Sequence, residues 1–358
     1  MRKLVRKVVV DSISPIDGAD KIELAHIGGW QCVVPKGQFK AGDIGVYFEI
    51  DSALPVDDQR FEFLKKSSYK EFKDDNGNVL ETCIRIRTQE FRKNLSQGLL
   101  MQTEDFPEIA DIELGVDCAE ALRVQHYDHI SSKYIKCEDA KGLFPGWIPS
   151  TELERIQNLP QCFEENKDME FEVTRKIDGQ SMTVFYVPEY RPDDPFGVCS
   201  HELEFKLDSE SQFVKLANKL NLREKLERCY KETGLQLAIQ GELHGVGIQK
   251  NRDKLTDVQY RVYSIYDVIK QMYLSPDERI AWCEKYDVPH VPVIERHFKP
   301  FDTFKSMDEM LEFSVGLTEN GNPREGLVYK QEAVAGKPYT HPVLLKVVSN
   351  SYLLKGEK

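Results

Sequence analysis

The chain has no Cys-x-x-Cys pair, no surplus of basic charge, and no apolar run near the roughly 20 residues a bilayer-spanning helix requires. Each shortage narrows the reading. Eight cysteines scattered singly suit reduced thiols in an intracellular compartment, cytoplasm or nucleus. The cluster His126-Tyr127-Asp128-His129, bracketed by Cys118 and Cys137, fits no common structural zinc spacing. Without a spanning run, no membrane association is expected. The opening MRKLVRKVVV is basic, but Asp11 ends its apolar stretch too early for a secretory signal. Sixty acidic residues against 48 basic ones give a net charge of −12, which argues against coating nucleic acid by bulk attraction. Local basic grooves, and carboxylates gathered around metal ions, stay open.

What is present describes a soluble globular protein of about two domains: 358 residues, 41% hydrophobic and 30% charged. Over residues 1–120, short alternating segments (KLVRKVVV, KIELAHI, WQCVV, IGVYFEI, ETCIRIRT, LSQGLLM) are separated by turn signals such as Asp17-Gly18 and Gly28-Gly29. This spacing predicts a small β-barrel of the oligonucleotide-binding (OB) kind. Two basic groups accompany it, Lys65, Lys66, Lys70 and Lys73 around Tyr69 and Phe72, and Arg85 and Arg87 before Arg92 and Lys93. They read equally as a nucleic-acid surface or as a charged edge that discourages aggregation. Residues 121–160 read as a linker, Gly/Pro-rich from Gly142 to Pro149, ending in a short helix TELERIQN that carries Arg155.

Residues 161–358 interleave strands and helices without strict alternation, which predicts an antiparallel-rich α+β domain. A strand VCSHELEF, one long amphipathic helix SESQFVKLANKLNLREKLERCYKET, strands LQLAIQGELHG and YRVYSIYDV, and helices opening at Ser275-Pro276 and Ser306 are expected, then strands REGLVYK and VLLKVVS. Near the start, FEVTRKIDGQSMTVFY reads as two strands joined through Asp178-Gly179 as a hairpin. The joint sets Lys176, a primary amine, beside the carboxylate of Asp178, with a glycine that permits close backbone approach. That is what a lysine nucleophile attacking phosphorus requires, though a hairpin with a solvated lysine would carry the same letters.

Downstream, Glu242 in QGELHG, Glu325 in REGLVYK and Lys346 in LLKVVS also fall on strands or strand ends. In this order the segments KIDG, AIQGELHG, YRVYSIYDV, REGLVYK and LLKVVSNSYLL resemble the five motifs of the covalent nucleotidyltransferases, the superfamily of ATP-dependent ligases and capping enzymes with an ATP-grasp-like ligase domain. The barrel candidate precedes this domain, an order that resembles the RNA ligases of the Deinococcus and Naegleria type. The likeness extends to DGADKIELAHIGGWQCVV, KAGDIGVYFEIDSALP, SQGLLM, IPSTELERIQNLP and GELHGVGIQKN, nearly the whole chain.

The resemblance implies an ATP-dependent RNA ligase acting on RNA with 3′-hydroxyl and 5′-phosphate ends, including nicked duplex; a monomer is expected. It implies Lys176 as the nucleophile that takes AMP from ATP, and Asp178, Glu242 and Glu325 as the acids that hold Mg²⁺ or Mn²⁺ (Glu242 also lying against the nucleotide). Tyr263 would stack on adenine, Lys346 and Lys330 would contact the α-phosphate, and Arg155 would grip the leaving pyrophosphate. A capping-type guanylyltransferase, a DNA ligase and a non-catalytic RNA-binding adaptor are the alternatives. The chain departs from the family pattern at His201, where arginine is usual, at Val348, where a second lysine is frequent, and in the basic stretch TQEFRKNLSQG.

Overall fold

The computed structural model describes residues 3–74, 76–127, 130 and 138–356. Asp128, His129 and Cys137, weighed above as metal ligands, lie outside the described residues. The chain divides into two compact units, Met1–Lys136 with Leu353–Lys358, and Cys137–Tyr352.

The first unit is built from short strands: β1 (Val5–Val9), β2 (Ser12–Pro15), β3 (Ile22–Ile27), β4 (Trp30–Pro35), β5 (Ile44–Phe48), β6 (Ser52–Leu54), β7 (Tyr69–Lys73), β8 (Val79–Arg85), β9 (Thr88–Phe91), β10 (Asn94–Gln97), β11 (Leu99–Gln102) and β12 (Gln125–His126). They form antiparallel sheets in the orders β1-β5-β11, β2-β3-β4, β9-β10 and β12-β6-β8-β7. Strand β5 is buried on both sides. Val46 and Phe48 enter one core with Phe61 and Phe106, while Tyr47 enters another with Trp30 and Phe39. Hence its letters run apolar instead of alternating. The expected single strand LSQGLLM is split at Gly98, whose φ of +115° no L side chain adopts comfortably and where a Cβ would sit 2.5 Å from the Tyr47 ring.

The second unit contains β13 (Ala140–Leu143), β14 (Glu154–Arg155), β15 (Phe171–Lys176), β16 (Gln180–Tyr186), β17 (Phe196–Cys199), β18 (Leu203–Phe205), β19 (Leu237–Gly245), β20 (Val258–Asp267), β21 (Met272–Tyr273), β22 (Val293–Phe298), β23 (Gly326–Gln331) and β24 (Leu344–Val348). One sheet runs β13-β18-β17-β16-β19-β20-β21 and the other β14-β24-β23-β15-β22. The β14–β24 pair is parallel and the other named pairs are antiparallel. The outer face of the first sheet packs Met182, Val184 and Ile239 against the helices Gln212–Lys219 and Leu222–Thr233. The outer face of the second packs Phe171, Val173, Leu327, Tyr329 and Leu345 against Phe301, Met310 and Leu311. Because side chains alternate along a strand, the inner faces receive what is left over. These are Glu172, Thr174 and Lys176 from β15, and Ser181 and Thr183 from β16.

Several expectations change at this level. FEVTRKI and SMTVFY do not form a hairpin, since β15 and β16 belong to different sheets. Residues Ile177–Gly179 are the corner between the sheets. Glycine stands there because a Cβ on Gly179 would lie 2.4 Å from the Leu243 carbonyl of β19. The short helix over TELERIQN is absent. Glu154 and Arg155 pair instead with Leu345 and Lys346 of β24, and only Ile156–Asn158 coil into a single 3₁₀ turn. Pro160 disfavours a helical Leu159, and burying Ile156 in the core fixes the turn. The long amphipathic helix is two helices, broken at Asn221 in the left-handed region (φ 51°). VCSHELEF is likewise two strands, with the Ser200 hydroxyl accepting from the backbone of Glu202 and Leu203 between them. The helix starts hold. Ser275 forms a full capping box with Glu278, and Ser306 accepts from the Glu309 backbone.

Candidate active site

Strand β15 delivers Lys176 to the mouth of the inter-sheet cleft, opposite Gly326 of β23. Glu325 directly precedes that glycine, and its Oε1 lies 2.8 Å from Lys176 Nζ. A Cβ at Gly326 would meet the Val347 carbonyl at 2.1 Å, so the glycine lets β24 close on the strand end that carries Glu325. Glu242 arrives from the other sheet, where β19 sets it opposite Ser181. It accepts a bond from the Gly179 backbone N–H. Asp178 sits at the corner itself, facing Arg252 at 3.6 Å and bonded by the Tyr352 hydroxyl. Three carboxylates from two sheets and one corner therefore surround one amine.

The electrostatics follow from that crowding. Burial works to lower the Lys176 pKa, but Glu325, then Glu242 and Asp178, outweigh it and hold the ammonium above its ordinary range. Burial and the neighbouring acids push Glu242 up to about 8, against the pull of Lys176. Asp178 is raised by burial and by Glu325. Glu325 Oε2 is buried with no hydrogen-bond partner among the described residues. Mutually repelling carboxylates, one with an orphaned oxygen, fit a hard divalent cation. Among the described residues no three such side chains converge tightly enough to ligate one ion directly. Water-mediated holding is the geometry these residues fit.

The rest of the cleft wall is set by register. Lys346 stands opposite Val328 and beside Arg155, on the same inner face as Lys176 but two strands away, at roughly 4.8 Å per strand. Val348 stands opposite Gly326. Tyr263, half-buried on β20, donates or accepts with Ser181 Oγ at 2.8 Å, and Ser181 is 2.8 Å from Thr151 Oγ1. Thr151 is in turn 3.4 Å from Nδ1 of the exposed His201. The sequence pattern thus brings Lys176, Asp178, Glu242 and Glu325 together, and lines the same cleft with Tyr263, Lys346 and Arg155.

Lys330 is the exception. Its ammonium does not project into the cleft as a phosphate contact. It bonds the Tyr263 carbonyl, and the Ser264 hydroxyl at 2.8 Å. Burial, then the charge of Arg279, presses its pKa down to about 7. Beside it the wholly buried Glu172 takes a bidentate pair of bonds from Arg279, at 2.8 and 2.9 Å. Arg279 also donates to the Tyr263 carbonyl at 3.1 Å. Glu172, Arg279, Arg252 and Tyr352 escaped the sequence reading. Glu172 alternates with Lys176 along β15 and so shares its face, a legible signal. Arg279 lies on a helix whose letters give no hint of a buried partner.

Within the first unit, several members of the basic groups are neutralised. Lys65 pairs with Glu62 at 2.5 Å, Lys73 with Glu71 at 2.7 Å and Arg85 with Asp51 at 2.7 Å.

With the geometry in place, comparison with known proteins defines the class. Residues 169–348 match the RNA ligase family model, and residues 4–103 match an OB-fold domain. The chain belongs to the RNA ligase family, an OB-fold domain followed by a nucleotidyltransferase domain of mixed helix and mostly antiparallel sheet. Among solved structures it is similar to an apo Naegleria gruberi RNA ligase variant at 34% identity and TM-score 0.81, covering 100% of this chain and 99% of that one. A Naegleria gruberi RNA ligase variant with ATP and Mn matches at 33% identity and TM-score 0.81, covering 99% of each chain. The Naegleria gruberi RNA ligase with PPi matches at 35% identity and TM-score 0.79, covering 100% of this chain and 99% of that one. No curated protein matches.

Proposed function

We propose that this RNA ligase is ATP-dependent and joins a 3′-hydroxyl to a 5′-phosphate, including at nicks in a duplex, through three phosphoryl transfers carried out by a monomer. In the first, the neutral amine of Lys176 attacks the α-phosphorus of ATP. A P–N bond forms, the bond from the α-phosphorus to the bridging oxygen breaks, and pyrophosphate leaves. In the second, an oxygen of the RNA 5′-phosphate attacks the phosphorus of lysyl-AMP; a P–O bond forms, the P–N bond breaks, and the Lys176 amine leaves, taking up a proton. In the third, the 3′-hydroxyl attacks the activated phosphate, AMP departs, and a phosphodiester remains.

The observation that carries this reading is the lysine 2.8 Å from Glu325 with Asp178 and Glu242 converging on it. An amine held charged by three acids is a poor nucleophile. Asp178, Glu242 and Glu325 would hold Mg²⁺ or Mn²⁺ through water. When bound, that cation neutralises the acids, favours loss of the lysine proton and screens charge on the α-phosphate. The match to a Naegleria structure with ATP and Mn supports both cofactors. Tyr263 would stack on adenine, with its backbone gripped from below by Lys330 and Arg279. Lys346 would bind the α-phosphate and Arg155 the departing pyrophosphate. The seven described cysteines are all free and buried, which supports residence in a reducing compartment.

Incubation with α-labelled ATP and a divalent metal is the test. An acid-labile, alkali-stable adduct is expected on the protein, lost in Lys176→Ala together with sealing. Labelling from GTP instead, or sealing that survives Lys176→Ala, would overturn the reading.

A further inference from the structure

Behind the Lys176 corner lies a second cavity, of about 660 Å³, lined by Arg175, His244, Arg261, Asp253, Glu319 and His290 among others. Its size is that of a small-molecule or nucleotide site. None of Lys176, Asp178, Glu242 or Glu325 lines it; Arg175 precedes Lys176 on β15 and so points to the other side of that strand, while His244 and Arg261 share the face of Glu242 further along the sheet. It is nonetheless built on the same strands. His244 follows Glu242 by two residues on β19, and Arg261 of β20 stands opposite Glu242 in the register.

Three nitrogens on residues that line this cavity are buried without a partner among the described residues: Nε of Arg175, Nε of Arg261 and Nε2 of His244. Arg175 is 5% exposed and His244 2% exposed, so neither is satisfied by ordinary surface hydration. The two acids both stand on Arg175, Glu319 at 2.7 Å and Asp253 at 3.2 Å. Arg261 has no carboxylate within salt-bridge distance among the described residues. Burial, then the like charge of Arg175, holds Arg261 below the usual arginine range against the pull of Glu319 and Asp253. Glu319 is 59% exposed at its side chain and is the member free to swing away when an incoming anion competes for Arg175.

We infer that this cavity is a phosphate-binding subsite, taking a phosphate of the RNA strand next to the junction being sealed. The inference rests on the chain being an RNA ligase, and it adds an RNA contact on the far side of the nucleophile strand. Guanidinium groups give charge-assisted, directional bonds to phosphate oxygens, and the His244 ring N–H adds a third donor. A free oxyanion such as inorganic phosphate offers the same chemistry, so the experiment separates the two sources.

Binding of a nicked RNA duplex with 3′-hydroxyl and 5′-phosphate ends, and separately of inorganic phosphate, is measured for Arg261→Ala, His244→Gln and Glu319→Gln across a salt series. Lysyl-AMP formation and thermal midpoint are followed in the same preparations. The inference expects Arg261→Ala to weaken RNA binding roughly tenfold and to reduce the salt slope by about one, as one phosphate contact is lost. Arg261→Lys restores part of that loss, and Glu319→Gln tightens RNA binding. Lysyl-AMP formation from ATP stays unchanged in Arg261→Ala. If the variants alter inorganic phosphate binding but leave RNA affinity and salt slope untouched, the RNA assignment is overturned in favour of a free-anion site. If folded, adenylylating variants change neither, the cavity holds only solvent and the inference fails. Loss of lysyl-AMP formation in Lys176→Ala is read independently, so failure here leaves the ligase reading standing.

Discussion

At the scale of single residues, the proposed chemistry turns on one proton. Lys176 is surrounded by acids that raise its pKa, so without nucleotide and cation it is an ammonium. Removing the nearest charge must lower that pKa and free the amine. In the metal-free protein, Glu325→Gln is therefore expected to make Lys176 react faster with an amine-acylating reagent at a fixed alkaline pH, followed by peptide mass spectrometry. The same variant should lose lysyl-AMP formation, because the proposed cation site is dismantled. An unchanged acylation rate would mean that the carboxylates do not set the charge of Lys176. Lys330 gives the opposite sign. Its folded-state pKa is pressed from 10.5 to about 7. Between those values the folded protein holds a neutral amine while the unfolded chain still binds a proton, so the contribution of this group to stability rises with pH. Below about pH 7 the fold carries a buried ammonium at a cost. Lys330→Met should flatten this part of the stability profile, read as urea midpoints across the window.

At the scale of elements, two contacts fix how the sheets meet. The corner Ile177–Gly179 needs a residue without a Cβ, because β19 passes 2.4 Å from where it would stand. Gly179→Ala is expected to cost about 1–3 kcal/mol of stability through backbone displacement, and to slow adenylylation by shifting Lys176 and Asp178 together. Denaturant midpoints and single-turnover labelling read the two effects. The second contact is the buried Glu172–Arg279 pair, which joins β15 to the helix Pro276–Lys285 and reaches the Tyr263 carbonyl. Breaking one partner leaves an uncompensated buried charge, so Arg279→Met should cost ~3–5 kcal/mol. The double variant Glu172→Leu with Arg279→Met should recover much of it. Loss of ATP affinity beyond the loss of stability, read as a raised KM for ATP, would mark the network as support for the Tyr263 platform.

At the scale of the whole molecule, ligand binding is folding energy. ATP with Mn²⁺ at 100-fold above its dissociation constant should stabilise the protein by ~2.7 kcal/mol and raise Tm, an increment that Glu325→Gln loses. Much of the architecture is legible in the sequence, because it rests on local signals. Alternating apolar letters predicted many of the strands but not β2, β6, β7, β9, β12, β13, β14, β21 or β22; the serine–proline and serine caps predicted helix starts at Ser275 and Ser306, and five short motifs in order singled out Lys176, Asp178, Glu242 and Glu325. Where the reading slipped, the cause was non-local. An Asp-Gly joint looks the same whether its strands pair or part, and only the closeness of β19 explains why β15 and β16 part. Arg155 reads as helical until β24 supplies hydrogen bonds for its backbone. The one-dimensional chain determined which groups exist, their charge and their order along the strands, since propensity and alternation act over a few residues. Tertiary structure alone decided which face met which. It buried Lys330 beneath Tyr263, paired Glu172 with Arg279 and left Arg261 without a carboxylate among the described residues, because burial and charge pairing depend on segments a hundred residues apart closing on one another.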